Sequence, residues 1–97
     1  MTNDKTYNGW SNYATWRINL EIFSDQSPED ITGNMTVEVS DLADALKEQA
    51  EELIDSGSSE GLARHYAFAF LSDVDWREIA QGMADAYADE RAEAEAA

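Results

Sequence analysis

Asp41-Leu42-Ala43-Asp44-Ala45-Leu46-Lys47-Glu48-Gln49-Ala50-Glu51-Glu52-Leu53-Ile54-Asp55 decides the fold class. Around a helix at about 100° per residue, Leu42, Leu46, Ala50 and Leu53 share one arc. Asp41, Asp44, Glu48, Glu51 and Asp55 follow at spacings of 3, 4, 3 and 4. They fall on the opposite arc, within about 80° of one another. Glu52 lies just beside them and Lys47 to the side. The period is helical, with one apolar and one carboxylate face. Ser40 can cap this helix and Gly57 can end it, so it should run from Asp41 to about Asp55.

The neighbouring segments read the same way. Asn8-Gly9 is a turn signal, and Ser11 or Asn12 can cap a first helix. Tyr13, Trp16, Leu20 and Phe23 then share one helical face, widened by Ile18 and Ile22, and are expected in the core. Ser27-Pro28-Glu29-Asp30 opens a helix of one or two turns that Gly33-Asn34 stops. Thr36-Val37-Glu38-Val39 alternates and reads as extended, without a partner strand. Ser58 or Ser59 starts another helix. Its stretch from Gly61 to Leu71 is apolar almost all round, which predicts a central buried helix, with Arg64 and His65 snorkelling or capping. Ser72 or Asp73 caps the last helix, from Val74 past Tyr87. The tail from about residue 92 is Ala/Glu-only and is expected to fray. About four main helices with short loops make a small all-α bundle, one acidic domain over residues 1–97.

Composition bounds the function. A chain of 97 residues has room for one core. Hydrophobic residues at 43%, with three Trp, four Tyr and three Phe, fit a folded globule. The absence of cysteine removes disulfides, thiol nucleophiles and cysteine-ligated zinc. No apolar run approaches a membrane span. Twenty-one acids against six bases give −15. Direct nucleic-acid binding and anionic membrane surfaces are disfavoured, because both need Lys and Arg. The charge is uneven: residues 38–60 carry −7 and residues 73–97 carry −6, whereas residues 61–72 carry only Arg64.

The last helix repeats the acidic design. Asp75, Glu78, Asp85 and Asp89 fall on one line, with Gly82 at the missing step. Like charges at i,i+4 cost a few tenths of a kcal/mol each. Three readings follow for Asp41, Asp44, Glu48, Glu51, Asp55, Asp75, Glu78, Asp85 and Asp89. They can be a solvated face. They can reflect molar salt, which two lysines in the whole chain also fit. Or they can bind a basic partner by imitating phosphates. One row carries about one charge per 5 Å, against about one per 3.4 Å along a DNA strand, so two rows would have to act together.

Residues 7–16 read Tyr-Asn-Gly-Trp-Ser-Asn-Tyr-Ala-Thr-Trp. The density of aromatics suits a helix staple and core anchors better than a base-stacking platform, which needs a basic groove. Asn8-Gly9-Trp10-x-Asn12-Tyr13-x-Thr15-Trp16, then Asn19-Leu20 and the later Trp76-Arg77-Glu78-Ile79-Ala80, resemble a family of small proteins of tailed phages, archaeal viruses and plasmids. The resemblance implies a virus or mobile-element origin and carries over no catalytic residue. The Ala-rich, Lys-poor, acidic character is similar to haloarchaeal members.

Enzymatic chemistry finds no support. His65 is the single histidine, so no two-His metal site can form. Asp73-Val74-Asp75 lacks the glycine and distal Glu of a calcium loop. There is no Gly-x-Ser-x-Gly and no Gly-rich phosphate loop. No catalytic residue, cofactor or metal is expected. Joined to the resemblance, the rows favour an acidic decoy in the host cytoplasm that inhibits a basic, nucleic-acid-binding host defence machine, of the anti-CRISPR or anti-restriction type. The alternatives are a halophilic accessory protein whose acidity is solvent adaptation, and an adaptor acting through its aromatic surface. The expected absence of a structural metal is testable: chelator should leave the melting temperature unchanged, and a large fall would point to the Asp73–Asp75 region.

Overall fold

The computed structural model describes residues 9–57 and 61–96, and all structural statements refer to these. The elements are α1 (Tyr13–Ile18), continued by a π-helical segment (Asn19–Phe23), α2 (Pro28–Thr32), α3 (Val39–Gly57), α4 (Leu62–Leu71), α5 (Trp76–Ala86) and α6 (Ala88–Ala96). The fold is all-α, as expected. Four main helices are accompanied by the short α2 and by α6. Asn8 and the Ser58/Ser59 helix start lie outside the described residues.

The core lies between α3 and α5. Leu42, Ala43, Leu46 and Ala50 on α3 and Ile79, Ala80 and Met83 on α5 are buried together with Ala14, Ile18, Phe23, Leu71 and Val74. Alanines on both helices let the two axes approach closely. The principal dimensions, 48 × 37 × 19 Å, describe a plate about two helices thick.

Local chemistry sets most of the boundaries. Ser27 and Asp30 form a reciprocal capping box at the start of α2, Pro28 takes its first turn, and Gly33 closes it in the left-handed region at φ 80°. The expected extended run is shorter than its alternation suggests. Asn34 Oδ1 accepts from Thr36 N–H at 3.0 Å and from the Thr36 hydroxyl at 2.9 Å, which turns the chain. α3 then begins at Val39, so Ser40 lies inside it rather than capping it.

The first helix buries a different face from the expected one. Ala14, Thr15 and Ile18 are buried, whereas Tyr13 is 41% and Leu20 49% exposed. Trp16 is half-buried, with its ring 5.6 Å from that of Tyr13. Phe23 nevertheless reaches the core at 1% exposure. The π-helical segment explains this. One extra residue in the turn sets the following side chains back by about 100°. That moves Phe23 from the Tyr13–Trp16 face to the Ala14–Ile18 face.

Two further expectations are corrected. The last helix is two helices: α5 ends where Tyr87 turns to φ −109°, ψ 25°, and α6 continues to Ala96 without a buried residue. α6 takes in the residues from 92 to Ala96, in keeping with their Ala and Glu content. Arg91 anchors it, donating from one guanidinium nitrogen to the carbonyls of Met35 (2.9 Å) and Val37 (3.0 Å). α4 is peripheral rather than central: Leu71 is its one buried residue, and Leu62 and Tyr66 are 67% and 66% exposed. Apolar composition marks a surface to be covered. In a plate this thin, α4 packs on α3 with one side, and among the described residues only Tyr13, against Phe70, reaches toward the other.

The start of α1 is stitched to the start of α5. Asn12 caps α1 by accepting from Thr15 N–H at 2.8 Å, and its side-chain amide donates to the Asp73 carbonyl at 2.9 Å. Asp75 caps α5 by accepting from Glu78 N–H at 3.0 Å, and its own N–H donates to the Thr15 hydroxyl at 2.8 Å. The Ser11 hydroxyl donates to the Glu78 carboxylate at 2.7 Å. Trp10 lies over Gly82, where a Cβ would meet its ring at 3.3 Å. Gly82 thus leaves room for the indole.

Two stability outcomes follow. Phe23→Ala should cost about 3–5 kcal/mol in urea unfolding, and Leu20→Ala, half-exposed across the same turn, less than about 1 kcal/mol. The reverse order would rule out the rotated π register. Thr15→Val should cost about 1–3 kcal/mol, because it leaves the Asp75 N–H without its acceptor, while Thr15→Ser should recover most of the loss.

Candidate functional site

The nine carboxylates singled out from sequence occupy three environments. Asp41, Asp44 and Glu48 are exposed along α3, and Glu51 is half-exposed. Asp55 is exposed and pairs with Arg64, whose guanidinium also lies 5.3 Å from the centroid of the Phe68 ring. Asp85 accepts from the Gln81 side chain at 3.0 Å, one turn back on α5. Asp75 and Glu78 belong to the α1–α5 stitch. Their oxygens point at N–H and O–H donors of the chain itself. Asp89 sits on α6, beyond the Tyr87 break, so the α5 line does not continue straight to it.

The row on α3 is the continuous one. Its C-terminal half, Glu48, Glu51, Glu52 and Asp55, lines an open groove of about 410 Å³ together with Arg64 and Phe68. Its N-terminal half stands on the open surface. Arg64 pairs within the row at its end, at Asp55, and leaves the repulsion among the four preceding acids in place.

The helix pair fixes where the rows point. α3 and α5 form the principal helix–helix interface, through their apolar faces. On each helix the carboxylates lie roughly opposite the buried residues. The α3 row and the α5 acids therefore face away from one another, on opposite flanks of the pair. With an interaxial distance of 8–10 Å and helix diameters of 10–12 Å, the flanks are about 20 Å apart. A single flat partner surface meets one row; a partner that wraps the pair meets both.

No other constellation competes. Among the described residues, no group of three or more His, Asp or Glu side chains could hold a metal ion, and no helix is long and apolar enough to cross a membrane. A cleft lined by Trp10, Phe23, Met83 and Tyr87 measures about 240 Å³, below the roughly 300–1,000 Å³ of most ligand pockets. The packing role of Gly82 under Trp10 is not visible in the sequence. It read as a gap in an acidic line, and its neighbour Trp10 lies 72 residues earlier in the chain.

No curated protein and no solved structure matches the chain at a significant level. A model described as a family of unknown function, DUF7249, matches residues 3–94. That span takes in both stitched motifs and the acidic faces of α3 and α5, and the chain belongs to the DUF7249 family.

Proposed function

We propose that the chain is a non-enzymatic binding protein that presents carboxylates to a basic, nucleic-acid-binding surface in place of duplex phosphates. In the host cytoplasm, and with the virus or mobile-element origin that its N-terminal motif suggests, the target is a host defence machine of the CRISPR or restriction class. The observation that carries this reading is the placement of acids on both flanks of one helix pair about 20 Å across. A duplex likewise carries charge on two sides of a rod. Asp41, Asp44, Glu48 and Glu51 make the principal contact. Asp85 and Asp89 supply the second flank. Asp75 and Glu78 add to the field while serving as caps and hydrogen-bond acceptors inside the fold. A protein surface shaped for DNA brings Lys and Arg to such a rod, releases its own counterions and gains a salt-sensitive affinity.

A second reading has its own support. Acids also crowd surfaces outside the rows, among them Glu90, Glu93 and Glu95, all exposed on α6. An even coat of carboxylate is what adaptation to molar salt produces, and it needs no partner.

The two readings separate on geometry. Asp44→Asn, Glu48→Gln and Glu51→Gln together should stabilise the fold at low salt by a few tenths of a kcal/mol per relieved pair, with the gain fading near 1 M salt. Under mimicry the triple variant should also lose at least about tenfold in retention of DNA-binding proteins from lysate, and duplex DNA should displace those proteins from the wild type. Glu21→Gln, Asp25→Asn and Glu29→Gln, exposed and outside both rows, alter net charge equally and should change retention little. Equal retention by both variants, or no DNA-displaceable protein at all, would leave solvent adaptation as the explanation.

A further inference from the structure

The outward face of α4 is the surface least like its surroundings. Its inward side carries Arg64, Ala67, Phe68 and Leu71, which are half-buried or buried. Leu62, Ala63, His65, Tyr66 and Ala69 are exposed. A surface helix normally turns charge to water on that side. Here residues 61–72 contain no carboxylate, and their one charge, Arg64, is turned toward Asp55 and Phe68. Phe70 extends the face, its ring 6.2 Å from that of the exposed Tyr13.

We propose that this face is where a second copy of the chain docks, by antiparallel pairing of α4 with α4 about a two-fold axis through Tyr66. Three observations select a second copy. First, a basic partner is drawn to the carboxylate rows of α3 and α5 and gains nothing electrostatic from a strip without carboxylates. Second, two copies at −15 each repel through every acidic surface, and α4 is where that repulsion is least. Third, the strip is self-complementary. Leu62, Tyr66 and Phe70 stand four residues apart, so reversing the helix about Tyr66 places Leu62 opposite Phe70 of the other copy. Ala63 then faces Ala69, and these small residues allow the i±4 ridges to interlock. The pairing buries apolar side chains that the monomer leaves in water. It is opposed by net charge, so it strengthens as salt screens that charge. This inference is independent of the proposed target and has its own readout.

Sedimentation equilibrium tests it, on the full chain from about 10 μM to about 1 mM and in about 0.1 M and about 1 M NaCl. The expected result is a monomer–dimer equilibrium whose association constant rises at least about tenfold with salt. Tyr66→Glu and the uncharged pair Leu62→Ser with Tyr66→Ser should both be monomeric throughout, with wild-type helical circular dichroism because the sites are exposed. A wild type that is monomeric under all conditions overturns the proposal and leaves the face to another protein. So does a dimer that survives these substitutions, or one that salt weakens.

Discussion

Two helix beginnings share one set of hydrogen bonds, and the remainder of the architecture hangs on that exchange. A helix start exposes N–H groups that need acceptors. Asn12 serves α1, Asp75 serves α5, and Thr15, fully buried, accepts the N–H of the residue that caps the other helix. Since the Thr15 hydroxyl is out of water, its loss leaves a donor stranded, which costs more than the bond itself contributes. The stitch fixes α1 against α5, presents Ala14 and Ile18 to the core, and brings Trp10 down on Gly82. α3 then closes the other side of α5. The acidic flanks are a by-product of this order: with the apolar faces of α3 and α5 turned together, their carboxylates have no other direction to face.

Much of this was readable in the residues, and the divide between what was and was not is physical. The helix start at Ser27-Pro28, a cap at Ser11 or Asn12 and the amphipathic period of α3 are local, spanning a few residues, and the structure follows them, with Asn12 as the cap. The rotation at Asn19–Phe23 was not readable, because one additional residue in a turn leaves no mark on a periodic pattern until the core shows which face it fills. The position of α4 departs from what its composition predicts for another reason. Its composition states what the helix would favour, while its burial depends on whether the rest of the chain has anything left to lay over it. Of the nine acids, the α3 row could be drawn from spacing alone. That Glu78 holds Ser11 and that Asp55 holds Arg64 depended on residues 67 and 9 positions away, while the cap of α5 is local but falls on Asp75 rather than on Ser72 or Asp73.

Acidity and stability pull against one another in this chain. Each cap or clasp that uses a carboxylate takes one charge out of free repulsion and gives it a donor. The α3 row has little such relief, and its repulsion must be balanced by burial of Leu42 and Leu46 beneath it. A binding partner or concentrated salt would do the same from outside. The row is thus a place where the fold is held short of its best stability.

The long reach of the stitch and of the Arg91 clasp has a consequence for how the protein is made. Thr15 waits for Asp75, Asn12 for Asp73, and Met35 and Val37 for Arg91, separations of 54 to 61 residues in a chain of 97. During translation the first helix is synthesised with no partner in existence, and the turn after α2 stays open until Arg91 has been made. Helical proteins usually fold from neighbouring contacts and do so quickly; this one must also close distant loops, at an entropic cost that slows it. The nascent chain therefore passes through an interval as separate amphipathic pieces. Its carboxylates, an obstacle once folded, repel other nascent chains during that interval and keep the pieces apart until α5 and Arg91 arrive.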